Sequence, residues 1–350
     1  MLGELRDSAF DANQNSLLVA VRGSLIRMPY YRFISLTILS WFICLYAIGQ
    51  SPNTSPLPNK VPLMLAKAVS QDVFYVQGAS EMGSSANQNF ISNAGFVVTS
   101  EGVVVVDALG SPELARKLLQ EIRKITKKPI HTVVLTHYHA DHIYGLQVFK
   151  EAGARIVAHA AAREYLFSDT AKLRLEASRQ ELWPWIDEKT RLVSADIWIS
   201  DPLTFKLGGT EFVIQPVGPS HTAEDVVVYL PQKKILFAGD LVFRNRIPFV
   251  GQADSKHWIE ALQNLLLFDT QWVIPGHGPI SNDPKADMTL TRDYLLYLRE
   301  TMGRAAEDME PFENAYAKTD WSKFEKFPLF KSANRMNAYN TYLLMEQQSK

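Results

Sequence analysis

The chain has 350 residues, of which 47% are hydrophobic and 21% charged, ordinary proportions for a globular protein. That length allows one large domain or two modest ones. Lys and Arg number 36 against 37 Asp and Glu, a formal net charge of −1 with no long basic run. Nothing in the composition argues for a nucleic-acid-binding surface, whose footprint is a basic stripe, and the expected partner is a small-molecule substrate.

Residues 33–49 (FISLTILSWFICLYAIG) carry no charge, follow Arg22, Arg27 and Arg32, and end in Ala47-Ile48-Gly49. A basic region, an apolar region and small residues at its end make a secretory signal. The run is short of the roughly 20 residues that a membrane span needs. The expectation for residues 1–49 is an N-terminal extension plus signal peptide, cleaved near Gly49 and Gln50, with a periplasmic or exported product. An uncleaved run would leave a membrane anchor instead. The signal starts late, and Met28 offers an alternative start. Cleavage would remove Cys44, the only cysteine, which suits an oxidising compartment. Residues 50–70, with early Pro, Asn and Ser, read as a linker.

From residue 71 the pattern becomes strand-like. Residues 73–76 (VFYV), 90–99 (FISNAGFVVT) and 103–106 (VVVV) are apolar runs, and Ser100-Glu101-Gly102 supplies a turn. This predicts antiparallel pairing at the start of a sheet. A helix is predicted from Ser111-Pro112, an N-cap followed by Pro at the first helical position. Its apolar face is Leu114, Leu118, Leu119, Ile122 and Ile125. Strands follow at 132–135 and 156–158, a helix over 160–182, and strands at 205–207, 212–217, 226–230 and 235–238. An amphipathic helix over 256–267 precedes a strand at 272–274. Beyond 284 strands stop, and Leu290, Tyr294, Leu298 and Met302 share one helical face. The aromatics of the tail read as core packing. The predicted class is α/β, with a domain over 71–284 and a C-terminal helical extension over 285–350.

The chemistry sits in LTHYHADHIYG, residues 135–145, directly after the apolar strand TVVL. His137, His139, Asp141 and His142 are four candidate ligands within six residues. Alternate strand residues point the same way, so His137 and His139 converge if the chain is still extended. Asp141 and His142 then fall on the first turn of a helix and point at a second centre. Imidazole and carboxylate ligands suit zinc, iron and manganese, and a site without cysteines is of the catalytic rather than structural kind. His221 in GPSHT, Asp240 in AGD and His277 in PGHG each follow an apolar run, which places them on loops at one sheet edge. His131 starts a strand, His159 follows a strand but has no partner pattern, and His257, on a helix beside Trp258, is a candidate neighbour of the site.

These motifs, THYHADH, GPSHT, FAGD and PGHG in that order, resemble the metallo-β-lactamase superfamily over about 72–284. The resemblance implies an αββα sandwich, two packed sheets with helices outside. It implies two divalent metal ions, zinc expected: His137, His139 and His221 on one, Asp141, His142 and His277 on the other, and Asp240 bridging both. An aspartate at 240 resembles the glyoxalase II, lactonase and phosphodiesterase branches, whereas many zinc β-lactamases carry cysteine or serine there. The segments SNAGFVV, RNRIPFVG and TRDYLLYLRETMG further resemble exported bacterial hydrolases associated with sulfur-oxidation and quinoprotein systems.

The expected reaction is hydrolysis of an ester, thioester, lactone or amide by a hydroxide shared between the two metals and oriented by Asp141. Alternatives are a mononuclear iron sulfur oxygenase, a β-lactamase-like activity, or a non-catalytic binding protein; the complete ligand set argues for two metals. Tyr138 and Tyr144 flank the ligands and are candidate oxyanion donors, with packing as the alternative. Asp107 and Asp225 were candidate partners for ligand histidines. The loop 244–251 (RNRIPFVG) was a candidate pocket wall that meets an anionic or polarised substrate, or else a solvated surface loop.

Overall fold

A computed structural model describes residues 63–348. The signal, its cleavage point and most of the linker lie outside the described residues. Among the described residues no helix is long and apolar enough to cross a membrane.

The first sheet contains seven strands in sequence order: β1 (Lys67–Ala68), β2 (Val73–Val76), β3 (Ala94–Val98), β4 (Val103–Val106), β5 (Ile130–Val134), β6 (Arg155–His159) and β7 (Ile197–Ile199). Its first four strands pair antiparallel and its last four are parallel. The parallel crossovers are helical: α1 (Pro112–Ile125), then α2 (Ala140–Ile143) with α3 (Leu146–Glu151), then α4 (Ala162–Leu166) with α5 (Asp169–Glu181). Ser111 caps α1 as predicted, its hydroxyl accepting from Leu114 N. The predicted helix over 160–182 is two helices, because Ser168 starts a new one by accepting from Ala171 N.

The second sheet has β8 (Leu203–Leu207), β9 (Thr210–Pro216), β10 (Val226–Leu230), β11 (Ile235–Phe243) and β12 (Trp272–His277), with β12 beside β11. β11 and β12 are parallel, joined by α6 (Ser255–Leu265); the others pair antiparallel. The predicted α/β sandwich is therefore present, and three further helices follow it: α7 (Pro284–Glu307), α8 (Phe312–Lys318) and α9 (Arg335–Gln348).

Strand alternation builds the layers. In β4, Val104 and Val106 face a central core shared by the two sheets, and Val103 and Val105 face the helices outside the first sheet. In β10 and β11, Val228 and Phe237 face the central core, and Val227 and Leu236 face the other helical layer. That layer joins α6 to the C-terminal helices: Trp258, Tyr294, Leu298, Met302 and Ala338 belong to one buried cluster with Leu236 and Val242. Tyr294, Leu298 and Met302 are buried as the periodicity predicts, and the helices after 284 share a core with the second sheet.

Two elements differ from expectation. β3 begins at Ala94, not at 90, because residues 91–93 turn away to support the centre described below. β11 runs through Asp240 to Phe243 rather than ending at Ala238. Gly239 permits this: its φ is +51° and its pairing with β12 is irregular on both sides, so the strand continues across a bulge.

Candidate metal centre

Parallel strands expose their carboxyl ends on one side, where side chains of the following turns converge. β4 ends at Asp107, β5 leads to His137 and His139, and β12 ends on His277. The loop after β9 brings His221. Asp240 and His277 thus stand within or at the end of strands, not on loops as the sequence suggested. The helix α2 opens with His139 at its N-cap position, and Asp141 and His142 lie on it as predicted.

All seven candidates meet. His137, His139, His221 and Asp240 form one group and Asp141, His142 and His277 another, the atoms of each group within 4.8 Å of one another. His139 Nδ1 lies 3.0 Å from His221 Nε2. Asp240 reaches both groups: Oδ2 is 3.4 Å from His221 Nε2 and 3.2 Å from His277 Nε2, and Oδ1 is 3.2 Å from His142 Nε2. Asp141 Oδ2 is 3.3 Å from His277 Nε2. Gly276 is required for this approach, since a Cβ there would stand 2.0 Å from Asp240 Oδ1.

Hydrogen bonds set the histidine tautomers. Asp107 accepts from Thr136 N at 2.8 Å, from the Thr136 hydroxyl at 2.9 Å and from His142 Nδ1 at 2.9 Å. With its proton given to Asp107, the Thr136 hydroxyl accepts from His137 Nδ1 at 3.0 Å. His277 Nδ1 donates to Ile91 O at 2.7 Å. In all three histidines Nδ1 carries a proton, and Nε2 is the nitrogen turned to the centre. Asp107 is thus the partner expected for a ligand histidine. Asp225 is not: it accepts from the backbone and hydroxyl of Thr222 and holds the loop of His221 rather than the imidazole.

Buried charge and unmet polar atoms make the centre fit a cation. His137 Nε2, His142 Nε2 and Asp240 Oδ1 are buried without a hydrogen-bond partner, which is costly unless something else occupies their lone pairs. Burial, then the neighbouring His142, push the His137 imidazole well below its ordinary pKa. Burial and His139 push His221 down to about 3. Burial also opposes charge on His142, yet Asp240, Asp141 and Asp107 hold its pKa well above normal. Asp240 resists burial because His277 and His142 keep its carboxyl well below the usual range. Two ionised carboxylates, Asp141 and Asp240, thus hold positive charge at the centre, raising His142 and His277 against the cost of burial. Five imidazoles and two carboxylates suit zinc, manganese or iron.

The remaining candidates fall elsewhere. Tyr138 and Tyr144 are each 1% exposed, and their hydroxyls reach Val193 O and Ser178 Oγ. They are packing residues, with their hydroxyls engaged inside the first sheet's helical layer and not offered to an oxyanion. His257 is exposed and paired with Asp254 on α6, outside the cluster. His131 pairs with Thr132 Oγ1, and His159 Nδ1 accepts from Ala161 N. Loop 244–251 is no solvated surface loop: Arg246, Ile247, Pro248 and Val250 are buried, and Phe249 packs half-buried on the second helical core.

Sequence reasoning missed three supports. Thr136 links Asp107 to His137 through its hydroxyl. Ser92 donates from Oγ to Asp141 O at 2.5 Å. Asn93 donates to Pro275 O and Gly278 O, both at 2.8 Å, and accepts from Gly78 N, clasping the loop that carries His277. The polar pair Ser92-Asn93 before Ala94, interrupting an apolar run, was the available signal.

The model of the metallo-β-lactamase superfamily matches residues 88–277. Over 262 residues the chain is 30% identical to the metallo-β-lactamase type 2 of Bacillus sp. (strain 170), covering 70% of this chain and 94% of that one. It is 28% identical over 239 residues to a linear primary-alkylsulfatase of Pseudomonas sp. (strain ATCC 19151), covering 57% of this chain and 44% of that longer protein. Among solved structures, a metallo-β-lactamase from Pontibacter korlensis superposes with a TM-score of 0.53 at 28% identity, over 67% of this chain and 99% of that one. The sec-alkylsulfatase Pisa1 from Pseudomonas sp. shares the fold, with a TM-score of 0.65 at 19% identity over 81% of this chain and 50% of that one. Fold, site and relatives agree: the chain belongs to the metallo-β-lactamase superfamily and is a metal-dependent hydrolase.

Proposed function

We propose that the chain is a dinuclear hydrolase, with zinc as the working metal, that cleaves an ester, thioester, lactone or amide. The observation that carries this reading is the pair of ligand groups joined through the two oxygens of Asp240. His137, His139 and His221 would hold one cation, Asp141, His142 and His277 the other. Bound there, two divalent cations lower the pKa of a shared water and polarise the oxygen of the scissile group.

The residues of the chain do the rest. Asp141 is the carboxylate at the mouth: its side chain is 15% exposed, against 4% for Asp240. From there it accepts a hydrogen bond from the attacking water, sets its direction, and holds the released proton near the leaving group. Asp240, buried and facing both groups, would hold the two cations together. With Tyr138 and Tyr144 packed away, no tyrosine hydroxyl is assigned to the developing oxyanion.

The intact second group, Asp141, His142 and His277, favours this reading over a mononuclear oxygenase. The relatives named as β-lactamases support including a β-lactam among the amides, and the alkylsulfatase supports a sulfate-ester arm. The test is a screen of zinc-loaded protein against a chromogenic cephalosporin, an aryl ester, an acyl thioester, a lactone and an alkyl sulfate in ¹⁸O-labelled water. Two zinc equivalents and solvent oxygen in the product are expected. One equivalent, or a trapped enzyme–substrate adduct, would sink it. We also infer export from residues 33–49: the native protein should begin near Gln50, and an intact N-terminus in the soluble cytoplasm would overturn this.

A further inference from the structure

The stretch 244–251 forms neither helix nor strand, yet half of its residues are buried. Buried backbone polar groups must find partners somewhere. Here the C-terminal region supplies them. Ile247 N donates to Pro328 O at 3.0 Å. Asn337 on α9 is fully buried; its Oδ1 accepts from Val250 N at 3.0 Å and its Nδ2 donates to Pro248 O at 2.8 Å. The same Nδ2 donates to the Tyr294 hydroxyl at 3.0 Å, which in turn donates to Asn334 Oδ1 at 2.8 Å. Asn340 Nδ2 donates to Gly251 O at 2.9 Å. Four successive attachments thus tie this stretch to residues 328–340.

Its other end leans on the metal centre. Arg244 N donates to His277 O at 3.0 Å, and the Arg244 side chain pairs with Asp287 of α7 at 3.1 Å. Arg246 is only 5% exposed, with Nη1 3.2 Å from His277 Nδ1 and the guanidinium carbon 5.4 Å from the centre of the Phe243 ring. Phe243 itself stacks on His277, centroids 5.1 Å apart at 6°. His277 Nδ1 already gives its proton to Ile91 O, so Arg246 is held behind the imidazole by packing and by its own loop, not by a bond to the ring. No carboxylate pairs with Arg246 among the described residues.

We propose that Asn337 is a positioning residue of the metal centre: by fixing the backbone at Pro248 and Val250 it sets Arg246 and Phe243 behind His277. The C-terminal helices then serve the site and are not an inert appendage. The proposal rests on the metallohydrolase reading for what the centre does; the clamp itself rests on the contacts above.

The test uses the full chain loaded with cobalt(II), whose visible d–d bands report ligand geometry, together with amide hydrogen exchange. Asn337→Ala should make the Val250 amide exchange at least about tenfold faster, the loss of a buried hydrogen bond. It should also shift the d–d bands while two cobalt equivalents still bind. Arg246→Met should reproduce the band shift without faster exchange at Val250, placing Arg246 between Asn337 and the metal. Should Asn337→Ala fail to fold, the half-buried Asn340→Ala should show a smaller shift of the same sign. Unchanged Val250 exchange, or faster exchange with wild-type d–d bands, overturns the proposal. A wild-type chain that takes up no cobalt instead sinks the metallohydrolase reading, and the exchange result still decides the clamp.

Discussion

Asp107→Asn isolates the tautomer argument. Asp107 accepts three hydrogen bonds, two from Thr136 and one from His142 Nδ1. The amide keeps one oxygen, which still accepts from Thr136 N. Its NH2 now faces His142 Nδ1, a nitrogen that must itself donate if Nε2 is to stay free for a metal. Either two donors oppose each other or the imidazole proton moves to Nε2 and blocks the ligand. Losing a hydrogen bond to a charged acceptor costs about 1.5–3 kcal/mol. At 25 °C that is roughly a ten- to hundredfold loss in affinity, the usual range for partners behind a ligand histidine. The backbone should survive, because Asp107 has φ +65° and Asn tolerates that region almost as well as any residue but Gly. Competition with a chromogenic chelator should resolve two zinc affinities, both lowered, because the NH2 also removes the acceptor of the Thr136 hydroxyl that fixes His137. Two wild-type affinities in this variant would refute the claim that Asp107 sets the His142 tautomer.

Asp240→Ala should weaken both metal equivalents, since its oxygens face both groups; metal analysis after gel filtration reads this, and wild-type content would remove Asp240 from the centre. Gly276→Ala should displace that carboxylate, with a Cβ at 2.0 Å from Oδ1, and lower metal content without removing any ligand; a fully loaded variant would show that the approach is less tight than described. Asn93→Ala should cost about 3 kcal/mol in urea denaturation, roughly 1 kcal/mol for each of three hydrogen bonds. A variant as stable as wild type would mean that water replaces the clasp.

Local patterns carried most of the secondary structure. Short apolar runs marked β2, β4 and β10, and Ser111-Pro112 marked the start of α1, because these depend on neighbours within a few residues. The short strands β1 and β7 escaped, having too few residues to show a period. The seven candidate ligands were legible because each stands at the end of an apolar run, a local signal, and their order carried the family resemblance. What only the tertiary structure decided is how those residues are held. Asp107 and His142 lie 35 residues apart, Ile91 and His277 are 186 apart, and Asn337 and Val250 are 87 apart. No periodicity links such pairs, so tautomers, supports and the loop clamp appear only once the sheets pack. The same holds for Tyr138 and Tyr144, whose place beside ligands in sequence suggested catalysis. Neighbouring residues on a turn point in opposite directions, and the side that faces the core is settled by packing across the whole layer.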